Sequence, residues 1–98
     1  MSTPVTIQPV AQNDISEAYL WYEHKQVGLG DRFIEEVERV LSRIAESPTL
    51  YACVRGDVRR ATTHTFPYVI YYSVLADSVE VIAVLHGSRK PSVWKRRI

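Results

Sequence analysis

Cysteine is nearly missing from this chain. Cys53 stands alone among 98 residues, so no intramolecular disulfide can form and a reducing compartment is expected. Glycine is scarce as well, at 4 residues, and no Gly-, Pro- or Ser-rich run separates one half of the chain from the other, so a single domain over residues 1–98 is expected. Long apolar runs are absent: nothing approaches the roughly 18 residues of a membrane span. The segment Met1 to Pro9 has neither the basic start nor the apolar core of a signal peptide, so a cytoplasmic protein with no membrane partner is expected. His24, His64 and His86 lie far apart without a paired His/Cys spacing, which argues against a metal, and no cofactor is expected. Gly28-Leu29-Gly30-Asp31-Arg32-Phe33 lacks the third glycine of a dinucleotide loop and follows a helical pattern instead of a strand. No G-x-S-x-G nucleophile elbow occurs.

Net charge is also small, +1, which by itself points to no polyanionic partner. Position changes that inference. Residues 1–52 carry four basic side chains against eight acidic ones, a net of −4, whereas residues 53–98 carry eight against three, a net of +5. A working surface is therefore expected on the second half.

The element pattern is α+β. Val5 to Gln8 alternates as a short strand before Pro9. Ala11 to about Val27 reads as a helix through Ile15, Ala18, Tyr19 and Tyr22, with Asn13 or Asp14 as its cap. After the Gly28–Gly30 break, Asp31 caps a second helix whose stripe is Phe33, Val37, Val40, Leu41 and Ile44, ending at Ser47-Pro48. An irregular stretch from Leu50 to Gly56 follows. The period then becomes two: a polar strand from Asp57 to Thr63, an aromatic one from Tyr68 to Val74, and a nearly continuous apolar one from Val79 to Leu85. Ala76-Asp77-Ser78 makes the last two a hairpin, and the apolar strand is expected at the centre of the sheet, covered on both faces. The expected fold is a two-helix antiparallel hairpin packed on one face of an antiparallel sheet, in the order β-α-α-β-β-β.

Candidate chemistry gathers in the second half. Arg59 and Arg60 sit on the polar strand, with His86, Arg89, Lys90, Lys95, Arg96 and Arg97 at and beyond the end of the last strand. Adjacent strand residues point to opposite faces, so only one of Arg59 and Arg60 can join a given surface. A tail folded back over the sheet would bring guanidinium groups from two distant stretches onto one patch, and such a fork suits a phosphate. The plain alternative is a solvated rim with a ragged tail. Trp94 is equally read as a lid over the sheet, and Tyr68, Tyr71 and Tyr72 as packing. In the first helix, Tyr19, Trp21 and Tyr22 crowd into one turn and cannot all face a single core, so part of this cluster is a candidate docking surface for an amphipathic, acidic segment. The alternative is that Trp21 only shields the hairpin turn.

The run Val58-Arg59-Arg60-Ala61, then Phe66-Pro67-Tyr68-Val69-Ile70-Tyr71-Tyr72, then residues 81–91 and Trp94-Lys95-Arg96-Arg97 resembles the RelE/ParE family of type II toxins, as do Gly28-Leu29-Gly30-Asp31-Arg32-Phe33 and Pro48-Thr49-Leu50-Tyr51. The resemblance implies a RelE/ParE-like fold and a bacterial growth-arresting toxin silenced by a cognate antitoxin, ParD-like or similar. It also implies one of two targets. ParE-like members poison DNA gyrase; RelE-like members act on the ribosome with mRNA, which they cleave without a metal. Cleavage needs a base, cations and an acid. In this chain Arg60 matches one basic sheet position, but Thr62 and Val69 stand where an RNA-cleaving member carries Lys or Arg, and Trp94, whose indole only donates, lies where the terminal acid belongs. His86, Arg89 and Arg60 are the residues left for a ribonuclease. That set is thin, and the resemblance is closer to the ParE-like branch: a gyrase inhibitor, not an enzyme, with Arg59, Arg60, His86, Arg89, Trp94, Lys95 and Arg96 as candidate target-binding residues and Tyr19, Trp21 and Tyr22 as candidate antitoxin-binding residues. An inactive relative that only binds an antitoxin is the remaining alternative.

Overall fold

In a computed structural model of the chain, which describes residues 2–98, the order is β1 (Val5–Ile7), α1 (Pro9–Lys25), α2 (Leu29–Glu46), β2 (Cys53–Arg55), β3 (Val58–Thr62), β4 (Tyr68–Val74), β5 (Val79–His86) and α3 (Ser92–Lys95). The strands form one sheet in the order β1-β5-β4-β3-β2, with the α1–α2 hairpin on one face. The hairpin and the last three strands are as the sequence predicts. Two features are added. The stretch 50–56 contains β2, which pairs with β3, and β1 joins β5 in parallel, so the sheet is mixed and not wholly antiparallel.

Helix boundaries differ from expectation for local reasons. Pro9 opens α1 instead of ending a strand, because a first-turn position has no intrahelical use for the missing N–H. Asn13 and Asp14 consequently lie inside the helix. Leu29 opens α2, after Gly28 at φ +89°, a left-handed geometry that glycine adopts without penalty, so Asp31 falls in the first turn and is not the cap. The cap comes from the preceding helix: the Glu23 carboxylate accepts the Gly28 and Gly30 N–H groups at 2.9 and 3.0 Å. At Gly30 the helices approach closely, since a Cβ there would lie 2.7 Å from the Tyr19 carbonyl oxygen.

Two apolar clusters sandwich the sheet. On the hairpin side, Ile15, Ala18 and Tyr22 of α1 and Phe33, Val37, Val40 and Ile44 of α2 pack on Ala61, Ile70, Tyr72, Val79, Val81 and Val84, while Leu41 is only partly buried. On the outer face, Val58, Ile82, Ala83 and Leu85 are covered by Trp94 of α3, which is 6% exposed and stacked on Tyr71 at 5.0 Å. Trp94 is thus a lid. β5 is buried on both faces from Val81 to Leu85, as its composition predicts. It carries a bulge: Tyr71 opposes Ala83 and Tyr72 opposes Val81, leaving Ile82 as the extra residue. Ile82 and Ala83 both turn to the outer cluster, and the alternation resumes with Val84 inward, Leu85 outward and His86 on the hairpin side.

The tail is fixed by one ion pair. Arg97 Nη1 and Nη2 reach Asp14 Oδ2 and Oδ1 at 2.6 and 3.1 Å, Nη1 also donates to the Ile82 carbonyl, and Asp14 Oδ2 accepts the Val84 N–H at 3.0 Å. β1 is too short to pair with β5 beyond Val81, and these two side chains satisfy the exposed edge. Among the described residues, no helix is long and apolar enough to cross a membrane, and no group of three or more His, Cys, Asp and Glu is placed to hold a metal ion.

Candidate functional site

A cleft of about 570 Å³ opens between α1 and the upper end of β5. The 3.6-residue period brings Asp14, Glu17, Ala18 and Trp21 of α1 to one wall, and Tyr68, His86 and Arg89 form the other. Its lining includes Trp21, 56% exposed, and the rings of Tyr22 and Tyr68. Leu20 on α1 and Val27 in the turn before α2 are exposed as well. Burial pushes the Tyr68 phenol up, partly opposed by the Arg89 guanidinium, and burial with neighbouring Tyr68 pushes Tyr22 up. Both phenols therefore stay protonated at neutral pH.

His86 sits at the end of the cleft. Its ring meets Tyr68 edge to face at 5.5 Å, and its Nδ1 accepts the Ser88 N–H at 3.1 Å with Ser88 Oγ at 2.8 Å. An Nδ1 that accepts an amide proton carries none itself, so the neutral ring bears its proton on Nε2.

The basic residues predicted to share a surface are divided. Arg59 faces the helices, where Nη1 donates to the Thr49 and Tyr51 carbonyls at 3.2 and 2.6 Å and pins the loop before β2. Arg60 points to the outer face, exposed, directly across from Tyr71, and Thr62 faces the same way across from Val69. Lys95 of α3, with Nζ 5.7 Å from the Trp94 ring, and the exposed Arg96 that caps this helix lie on that outer side. His86 and Arg89 belong to the cleft instead. His86, Arg89 and Arg60 thus do not converge, since the sheet lies between them.

The aromatic cluster of α1 divides too. Trp21 and Tyr22 line the cleft. Tyr19 packs against the α2 crossing at Gly30, and its phenol is raised chiefly by the Asp31 carboxylate and then by Glu23. Asp14, Glu17 and Pro67, none of them expected at a site from the sequence, join the cleft. Helical spacing alone puts Asp14 and Glu17 on the face of Ala18 and Trp21, so that part was accessible from the pattern.

Comparison with known proteins matches residues 5–91 to the family model described as ParE toxin of type II toxin-antitoxin system, parDE. The chain is 23% identical over 99 residues to Toxin ParE2 of Mycobacterium tuberculosis, in both strain CDC 1551 / Oshkosh and strain ATCC 25618 / H37Rv, covering 100% of this chain and 94% of that one. Its fold is similar to a chain of the chromosomal ParDE TA system from P. aeruginosa, with TM-score 0.63 and 11% identity over 87% of this chain and 96% of that chain.

Proposed function

Because the chain belongs to the ParE toxin family of type II toxin-antitoxin systems, we propose that it is the growth-arresting toxin of such a module, silenced by a cognate ParD-like antitoxin and acting by poisoning DNA gyrase. The observation that carries the target is the separation of His86 and Arg89 from Arg60 across the sheet. Cleavage of an RNA phosphodiester needs a base, charge stabilisation and an acid within reach of one phosphate. The outer face offers cations without an acid-base group. A protein that binds and traps its target needs only a surface.

The antitoxin seat is the α1–β5 cleft. Its exposed Trp21 offers the rigid aromatic area that anchors an amphipathic helix, and His86 and Arg89 on the opposite wall favour an acidic flank on that helix. Trp21→Ala should leave the fold intact and weaken capture of the antitoxin at least tenfold in a titration; unchanged affinity would remove the cleft from the complex.

Purified protein should block gyrase supercoiling or accumulate gyrase-dependent DNA breaks, and replication should stop before translation in arrested cells. A single observation favours the ribosome-dependent endoribonuclease: the cleft does hold a histidine, a guanidinium and a phenol together. Messenger cuts on ribosomes that vanish in His86→Ala would establish that alternative.

A further inference from the structure

The outer face of the sheet has a composition that the gyrase reading does not by itself require. Arg60 stands on β3 directly across from Tyr71, Tyr71 stacks on Trp94 at 5.0 Å, and the Lys95 ammonium lies 5.7 Å from that same indole. Arg96 is the C-cap of α3, its Nε donating to the Ser92 carbonyl at 3.2 Å. Arg60, Lys95 and Arg96 are all exposed, and among the described residues the only ion pair is Asp14–Arg97, so none of the three is neutralised by a carboxylate. The acids on this face, Asp57 and Glu80, collect with Arg55 around a hollow at the Val58–Ser73 end of the sheet, away from the tier of Arg60.

We propose that Arg60, Lys95 and Arg96 form a binding surface for the phosphate backbone of duplex DNA. The occupant follows from what the surface has and lacks. Three unpaired cations on one face release counterions when they meet a polyanion, which is the main source of sequence-independent affinity for DNA. Proteins that hold single strands or RNA loops add open aromatic rings on which unpaired bases stack. Here both aromatic residues are already committed: Trp94 is 6% exposed and Tyr71 lies against it. The surface reads charge spacing and not bases. Its biological setting rests on the gyrase reading, since gyrase holds duplex DNA and a toxin that touches that DNA would grip the complex more tightly than either component.

The test is fluorescence anisotropy of a labelled random-sequence duplex of about 20 base pairs with the purified full chain, across 50 to 200 mM salt. Three phosphate contacts give a slope of log K against log salt of about −2.7, so affinity should fall roughly 40-fold over that range. Arg60→Gln, Lys95→Gln and Arg96→Gln should each reduce the slope by about one and the fall to roughly 12-fold. Arg43→Gln on the distant α2 surface should change nothing. All four side chains are exposed, so melting temperatures should stay put and unfolding cannot mimic the result. No binding at 50 mM salt, a slope indifferent to Arg60→Gln, or equal affinity for a single-stranded RNA of the same length would overturn the proposal. A gyrase assay run beside it separates the two ideas. Gyrase poisoning without binding to free duplex sinks the DNA surface alone, and duplex binding without any effect on gyrase leaves it standing while removing the target.

Discussion

Breaking the Asp14–Arg97 pair should cost far more than an ordinary surface ion pair. The carboxylate accepts three hydrogen bonds, two from the guanidinium fork and one from the Val84 N–H, and the side chains are only 12% and 18% exposed. Arg97→Met removes the fork, frees the Ile82 carbonyl and leaves a mostly buried carboxylate with one amide partner. Asp14→Ala strands the guanidinium and the Val84 N–H together. Exposed pairs are worth about 0–1 kcal/mol, whereas removing one partner of a buried pair costs about 3–5 kcal/mol. With residual solvent contact, about 3 kcal/mol is the expected loss for either single change. For a chain of 98 residues whose total stability is of order 5–15 kcal/mol, that shifts the melting temperature by about 15 °C. Asp14→Asn keeps an oxygen for Val84 and should fall between. Urea unfolding of both single variants and the double gives the coupling directly, and about 2 kcal/mol is expected. Single losses below about 1 kcal/mol, or an additive double variant, would show that the tail is not latched through this pair and that Trp94 alone holds α3.

The other predictions concern parts that the pair does not touch. Tyr72 is fully buried, its hydroxyl donates to the Pro48 carbonyl at 2.8 Å, and burial pushes its pKa up to about 12 against a weaker opposing pull from Arg59. A raised folded-state pKa means that its contribution is complete below about pH 10 and is lost as pH climbs through about 12, to a limit of about 2–3 kcal/mol. Tyr72→Phe should cost about 1–2 kcal/mol at neutral pH and flatten that part of the decline, measured as urea midpoints at pH 9 and 11.5; an equally steep decline would assign it to other tyrosines. Gly30→Ala should destabilise by about 1–3 kcal/mol, because the new methyl meets a backbone oxygen that cannot rotate away. Gly28→Ala has open space and only backbone strain, about 1 kcal/mol; equal melting shifts would contradict the close crossing. Arg59→Met should lower stability by about 2 kcal/mol through the lost Thr49 and Tyr51 contacts, while Arg60→Gln leaves it unchanged, and the reverse order would mean that the two side chains are exchanged across the sheet.

Much of the fold is legible because two segments obey a single rule. The α2 stripe repeats at helical spacing with charged residues opposite it, and the aromatic and β-branched run from Tyr68 to Val74 is bounded by Pro67 before it and by the short turn through Ala76-Asp77-Ser78 after it. What escapes the sequence is whatever a neighbour decides. β2 is a three-residue edge with no alternation of its own, held in place by β3 and by the Arg59 contacts to the loop before it. A strand's period is the same whether its partner runs with it or against it, so the parallel pairing of β1 with β5 leaves no local trace. Asp14 looks like a helix cap until Arg97, 83 positions later, arrives beside it.

The bulge at Ile82 is the hidden feature with the largest consequence for function. In an unbroken strand, alternation from Val81 would place Ile82, Val84 and His86 together on the outer face, and His86 would then share a surface with Arg60, the acid-base group beside the cation. The extra residue reverses the alternation above it. Val84 turns into the hairpin core, Leu85 goes under the α3 cluster, and His86 swings into the cleft beside Trp21. Residues 81–85 cannot announce this, since a strand buried on both faces is apolar at every position and carries no register signal. One inserted residue therefore separates the histidine from the outer cations. The proposed target surface and the proposed antitoxin seat therefore lie on opposite faces of the sheet, so Arg60→Gln and Trp21→Ala should separate them, the first weakening toxicity without touching antitoxin capture and the second doing the reverse.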